Sequence, residues 1–435
     1  MIAEPDLQDQ TEEFRAYPKS VQPGIPNLGI VPDGWLRLPI GDLLTVVQRP
    51  AKLVGDEFYE LVTARRNRGG IVARGRLVGR QIATKTQFWV KAGDFVMSRR
   101  QIAHGACGIL PDALDGSIVS NEYAALLPTN NLDRGFLRHL PHSIYFQQTC
   151  FHSSVGVHVE KLVFNLEHWL TWEFRVPPLP EQQRIAVVLD AWDAAIATAK
   201  RLIEVNLAMR DNLEKQLVGA GSATKLTVIA DVVFSGVDKR IVEGEQQVRL
   251  CNYMDVLNNR RLFNSLPFSA GSATKLEVAR FSLQRDDVVF TKDSETASEI
   301  AEPACVAEDL EGVVCGYHLA VARPRDGYSG AFLAHAIRSP RLRQQFVKRA
   351  NGAIRFGLTL DAIEQVELPM PPYERQQLIA DTLDCADMEA IRHRQLIAQL
   401  RNQKRGLMQL LLTGNLRVPE SIDALMPSAP ALEAA

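Results

Sequence analysis

Two turn-like segments hold the side chains with the plainest chemistry, TARRNRGG at 63–70 and SRRQIAHG at 98–105. An arginine guanidinium can donate two bonds to guanine, and an Asn or Gln amide can pair bidentately with adenine. Such loops can therefore read base edges as well as grip phosphate. This makes Arg65, Arg66, Asn67, Arg68, Arg99, Arg100 and Gln101 candidate nucleic-acid contacts. The charge around them agrees. The chain has a formal net charge of only −2, yet between Leu61 and His104 ten Lys and Arg residues stand against Asp94 alone. A polyanion would find that local excess. Further along, Lys239, Arg240, Asn252, Arg260, Arg261, Lys292, Asp293 and Arg355 offer the same donor and acceptor types, more dispersed.

Catalytic constellations are scarce. There is no glycine-rich phosphate loop, no Gly-x-Gly-type turn after a strand and no acidic cluster suited to two metal ions. His139, His142, Cys150, His152 and His158 follow no familiar ligand spacing, so no metal is assigned. Met370-Pro371-Pro372-Tyr373 has the prolines and the ring of the loop with which DNA amino-methyltransferases hold a flipped base. Its first residue is wrong for that chemistry, because a thioether cannot orient an amine as Asn or Asp does. No catalytic residue is assigned. The six cysteines show no two-residue spacing of zinc or redox motifs, which fits a reducing cytosol. A cytoplasmic location without membrane contact is expected, since the N-terminus has neither a basic start nor an apolar core. Nor does any apolar run approach the roughly 20 residues of a membrane span.

What must position these residues is written as an internal repeat. PPLPEQQRIAVVLDAWD at 177–193 aligns with PPYERQQLIADTLDCAD at 371–387 at a constant offset of 194. The proline pair is thus a duplicated helix entrance. Prolines fix extended backbone, and Glu181, Gln182, Glu374 and Gln376 suit a first helical turn. A seam of alternating four- and three-residue steps follows. It runs through Ile185, Leu189, Trp192, Ile196, Ala199, Ile203, Asn206, Arg210, Leu213 and Leu217 in the first copy. In the second it runs through Ile379, Leu383, Ala386, Ala390, His393, Ile397, Leu400, Lys404, Leu407 and Leu411. This 3.5-residue period, kept for about five heptads, predicts a coiled coil, and two equal helices pair most naturally with each other, antiparallel. Gly219 and Gly414 are the expected C-caps. Asn206, Arg210, His393 and Lys404 read as register-setting interruptions of the seam.

Each helix follows a block with short β-branched or aromatic runs, such as QFWV and GDFVMS in the first and VRLCNYMDVL and DDVVFTKD in the second. The expected fold is α+β: two mixed α/β blocks separated by two long helices that pair as an antiparallel coiled coil, with a pseudo-two-fold internal repeat. GDFVMSRRQ at 93 aligns loosely with DDVVFTKDS at 286, so the duplication extends into the blocks. The expected boundaries are an arm at 1–29, a first block at 30–176, a helix at 177–220, a second block at 221–369, a helix at 370–418 and a flexible tail at 419–435. GAGSATK at 219–225 reads as a hinge.

The two Pro-Pro helices, the closing LLTGNLRV, and EGEQQVRLCNYMDV, VVFTKDSE and CGYHLAVARP in the second block resemble the DNA specificity subunit of type I restriction-modification systems. The resemblance runs from about Trp35 to Val418. It implies a sequence-specific, non-catalytic subunit in which each block is a target recognition domain that reads half of a bipartite site in double-stranded DNA. The helices would set the spacing and dock two methyltransferase subunits, with restriction and translocase subunits completing the complex. The chain would hold no cofactor itself; S-adenosylmethionine, ATP and magnesium would act on the partners. A helix of about 39 residues is ~58 Å long, or ~17 base pairs. The sequence departs from the family pattern at Tyr373-Glu374-Arg375, and in the first block, where Arg99-Arg100 replaces the Lys292-Asp293 pair of the second. The residues alone leave two other readings open, a degenerate stand-alone DNA methyltransferase and a non-catalytic coiled-coil scaffold.

Overall fold

The computed structural model describes residues 17–219, 221–352 and 354–425. They fall into two compact units, the described residues of Met1–Thr198 with Ile397–Ala435 and those of Ala199–Leu396.

In the first unit, strands Leu44–Val47, Tyr123–Pro128, Phe95–Ser98 and Cys107–Ile109 lie side by side in that order, all antiparallel. A mixed five-stranded sheet orders Pro50–Ala51, Gln87–Val90, Ser117–Ser120, Phe58–Ala64 and Ile71–Val78. Phe95–Ser98 is buried along its whole length, which is why it reads FVMS without alternation. The adjoining core sets Phe146 edge-on to Trp169 and Phe174, with ring centroids 5.3 and 6.0 Å apart. Ile185, Leu189, Met408 and Leu411 of the long helices close the same cluster.

The second unit repeats the scheme. Ala230–Phe234, Leu319–Pro324, Val288–Thr291, Pro303–Val306 and Arg261–Leu262 form one sheet, and Ser269–Ala273, Gln246–Cys251 and Val313–Cys315 another. Val288–Thr291 holds the third place in its sheet, as Phe95–Ser98 does, and it too is wholly buried. Its core takes in Leu213, Leu217, Ile379 and Leu383 of the long helices.

Those helices are Leu179–Leu217 and Tyr373–Leu412, of 39 and 40 residues. Wherever they touch they run antiparallel. In the first unit Lys404 Nζ stands 2.6 Å from Asp193 Oδ2. In the second, Asn206 Nδ2 stands 3.3 Å from His393 Nδ1, and Arg210 Nε donates to Asp387 Oδ1 at 3.1 Å. The four polar interruptions of the seam are thus engaged across it, and no seam position is exposed. Engaged polar groups in an apolar seam fix its register, because any slip leaves them unpaired.

The same atoms fasten each block to its helix. The buried Gln182 accepts from Asp133 N at 2.7 Å and donates to Pro177 O at 2.9 Å; Gln376 accepts from Ser329 N at 2.9 Å and donates to Pro371 O at 2.8 Å. Asp133 and Ser329 are the N-caps of the short helices Arg134–His139 and Gly330–Arg338. Near the other ends of these helices, His139 Nε2 meets Asp190 Oδ1 and His335 Nε2 meets Asp384 Oδ1, both at 2.9 Å. The duplicated proline-glutamine entrance is therefore a clamp.

Several local expectations change. Met370 closes the strand Glu367–Met370, paired antiparallel with Ser222–Lys225, and is only 9% exposed. It belongs to a closing ribbon, as Val176 does in the pair Leu36–Pro39 with Glu173–Val176. The segment read as a hinge is consequently strand from Ser222 onward. Gly221 takes φ +126° there, and a Cβ on it would lie 2.5 Å from the Met370 carbonyl carbon. Gly414 has the left-handed conformation expected of a cap, φ +73°, whereas Gly219, at the same place after the first helix, does not take a positive φ. The tail begins as a 3-10 helix, Glu420–Leu425, in which Asp423 pairs with Arg184 at 3.2 Å and Ile422 packs on the core. Part of the N-terminal arm is also built in, with Val21 buried and the Tyr17 ring 5.5 Å from that of Phe151. Residues 1–16 and 426–435 lie outside the described residues. Among those described, no helix is long and apolar enough to cross a membrane.

Candidate nucleic-acid interface

The two arginine-bearing turns of the first unit meet. Asn67 N donates to His104 O at 2.8 Å and Arg68 N to Gly105 O at 2.9 Å, so 63–70 and 98–105 form one surface. Asn67 and Arg68 both take φ +58° to make this turn. Arg65, Arg66 and Asn67 are exposed, and Arg66 pairs with Glu160 at 2.5 Å. Arg100 is exposed and donates through Nε to Glu122 Oε2 at 2.6 Å; that bond raises its pKa further. The other members lie deeper. Arg68 is half-buried, and burial lowers its pKa. Arg68 Nη1, Arg99 Nε and Gln101 Oε1 are buried and have no hydrogen-bond partner among the described residues.

In the second unit the dispersed candidates divide. Lys239, Asp293 and Arg355 line one cleft of 770 Å³ together with Tyr253, Tyr317 and His318. Lys239 and Arg355 are exposed there, and Arg240, beside them in the chain, is exposed near Asp238 at 3.8 Å. Lys292 lies inward. It is 9% exposed, its ammonium lying 2.5 Å from Asp293 Oδ2 and 4.7 Å from the Tyr317 ring centroid, so it supports Asp293 instead of reaching outward. Arg260 and Arg261 are paired within the unit, by Asp387 at 2.5 Å and by Asp384 of the long helix. The Asn252 amide donates to Leu250 O and Ser269 Oγ, both at 3.1 Å, at the start of helix Tyr253–Asn258.

Sequence reasoning missed Tyr317 and His318 as surface groups. The signal was present in CGYHLAVARP, where two polar aromatics precede a wholly apolar strand start and must stand at its end.

Ligand-type atoms also gather at His139, Asp190 and Asp193 and at His335, Asp384 and Asp387. Arg138 and Lys404 already pair with the first carboxylates, and Arg210, Arg260 and Arg261 with the second, so a metal ion would have to displace those cations.

The repeat reaches the strand ends atom for atom. Ser98 pairs with Tyr123 in the first unit and Thr291 with Leu319 in the second. Immediately beyond, Arg99 N donates to Glu122 O at 2.7 Å, and Lys292 N donates to His318 O at 3.0 Å.

No protein-family model matches the chain. The type I restriction enzyme MjaVIII specificity subunit of Methanocaldococcus jannaschii is 21% identical over 432 residues, which cover 89% of this chain and 94% of that protein. A second protein of that organism, also described as a type I restriction enzyme specificity subunit, is 23% identical over 278 residues, 56% of this chain; the chain spans 59% of its length. Two solved structures are similar in fold over most of the chain. One, from work on complex assembly and conformational transition of the type I restriction-modification system, matches with TM-score 0.56 and 17% identity over 89% of this chain and 100% of that one. The other, the type I restriction-modification system S subunit from M. genitalium, matches with TM-score 0.51 and 12% identity over 90% and 98%.

The chain has the fold of a type I specificity subunit. In that fold the paired turns of the first unit and the cleft of the second lie in the two mixed α/β blocks, and the duplicated clamps tie each block to the long helices.

Proposed function

We propose that this chain is the DNA-reading subunit of a type I restriction-modification complex, with each mixed block reading one half of a split site. The observation that carries the reading is duplication down to single bonds. Two blocks of one fold, fastened by equivalent Gln and His contacts to a pair of long helices, offer equivalent strand ends bearing different side chains. One architecture with two different surfaces is what a bipartite target requires. Arg65 and Arg66 of the first block, and Lys239, Arg240 and Arg355 of the second, supply exposed cations for phosphate, which position the protein without specifying sequence.

In this reading the helices set the spacing between the half-sites and dock two methyltransferase subunits. Restriction and translocase subunits join them, and S-adenosylmethionine, ATP and magnesium serve those partners. The stand-alone methyltransferase alternative loses its one feature, since Met370 is spent in a paired, buried strand. Expressing the chain with its cognate methyltransferase in a host lacking other modification, then sequencing genomic DNA for methyladenine, tests the proposal. A split motif supports it; methylation at a continuous motif contradicts it.

A further inference from the structure

We propose that the residue pair facing across the strand ends reads a base in each half-site, and that its polarity is reversed between the blocks: Arg100 with Glu122 in the first, Asp293 with His318 in the second. The proposal rests on the DNA-reading function above and names the groups that make the two halves different.

The two pairs are structurally equivalent. Each first member is the second residue after a buried third strand, and each second member immediately precedes the neighbouring strand's paired start. Equivalent backbone bonds, Arg99 N to Glu122 O and Lys292 N to His318 O, hold them side by side. The side chains then touch: Arg100 Nε lies 2.6 Å from Glu122 Oε2, and His318 Nδ1 lies 3.4 Å from Asp293 Oδ2. All four remain open to solvent, with side-chain exposures of 53% and 44% in the first pair and 35% and 51% in the second. The position is thus constant, and its first member changes from a guanidinium to a carboxylate.

What each pair presents to DNA follows from its unused atoms. Arg100 spends Nε and Nη2 on Glu122, and Nη1 has no partner among the described residues. It offers donors, and the guanine edge, with acceptors at N7 and O6, is the major-groove pattern that takes them. Asp293 spends Oδ2 on Lys292 and His318, and Oδ1 has no partner among the described residues. It offers an acceptor, which only an exocyclic amine can satisfy, cytosine N4 or adenine N6. A carboxylate near DNA is repelled by phosphate, so it discriminates against bases without an amine more than it adds grip. Buried Lys292, lying over the Tyr317 ring, holds Asp293 in place before DNA arrives, which lowers the ordering cost of a specific contact. Lys239 and Arg355 border the same cleft and can take the flanking phosphates.

The test compares Arg100→Gln and Asp293→Asn with the parent chain, each expressed with the methyltransferase subunit, by methylation sequencing of host DNA. Arg100→Gln is expected to relax a guanine requirement at one position of the first half-site by roughly 10- to 100-fold, leaving the second half-site unchanged. Asp293→Asn is expected to relax a cytosine or adenine requirement at one position of the second half-site only. Where a variant abolishes methylation, binding of the purified complex is measured on duplexes carrying each single-base replacement in the parent motif. Equal weakening on every duplex overturns the assignment, as does an unchanged motif or a change in the other half-site. A parent chain that directs no split motif at all overturns the DNA-reading function instead.

Discussion

His335 Nε2 lies 2.9 Å from Oδ1 of Asp384, joining the end of a block helix to the long helix beside it. His139 and Asp190 repeat the contact at the same distance. The aspartates are 194 residues apart in the chain and the histidines 196. Burial pushes Asp384 up, but bonds from His335 and Arg261 outweigh it and hold the carboxyl below its ordinary value. Burial lowers His335 in turn. With Gln376 two turns earlier, the contact makes the block and its helix one packed body rather than two elements joined by a loop.

Replacing Gln376 with Ala should therefore destabilise the second unit. It leaves Ser329 N and Pro371 O without their partner in a buried place, a loss of about 1–3 kcal/mol. Thermal unfolding checks this, with Gln377→Ala, exposed on the same turn, expected to change little.

Arg210 is 4% exposed and pairs with Glu214 at 2.8 Å and Asp387 at 3.1 Å. Arg210→Ala would leave the buried Glu214 carboxylate uncompensated, while Asp387 keeps Arg260, at a cost of about 3–5 kcal/mol. Denaturant unfolding should show this as a lower midpoint. The double variant Arg210→Leu with Glu214→Leu should recover part of the loss, since an apolar pair leaves less charge unpaired.

Acid should loosen the first unit before carboxylates titrate. Burial, followed by the nearby cations Arg68, Lys404 and His139, drives His142 down to about 4. The folded chain thus keeps it neutral where the unfolded chain binds a proton below about pH 6.5. Stability is full above that pH and falls as the pH drops toward 4, by on the order of 3 kcal/mol from this group. Urea unfolding between pH 7 and 4.5 should be less pH-dependent in His142→Asn; equal dependence in both proteins would contradict the assignment.

How much of this was legible differs residue by residue. The heptads, the antiparallel pairing and the clamp's Pro-Gln entrance show in the sequence because they repeat at one offset. The His contacts do not, because Phe136-Leu137-Arg138-His139 and Phe332-Leu333-Ala334-His335 are shifted by two further residues, and a fixed-offset comparison passes over them. Charge type revealed the paired turns at 63–70 and 98–105, which fold together. It does not show the ion pairs of Lys292, Arg260 and Arg261, since a cation's sequence neighbours do not show which carboxylate the fold will bring to it.

That difference predicts salt behaviour. Arg65→Ala should lower the slope of log affinity against log salt by ~0.9 for the assembled complex on duplex DNA. Arg260→Ala should leave the slope unchanged, its charge being spent on Asp387. Titrations at several salt concentrations check both.

The most direct measurement is the methylome of a host carrying this chain and its methyltransferase, with and without replacement of residues 30–176 by the corresponding block of another specificity subunit. The account predicts a split adenine-methylation motif in which the exchange rewrites one half and leaves the other and the spacing intact. A change in both halves, or a motif indifferent to the exchange, would contradict it.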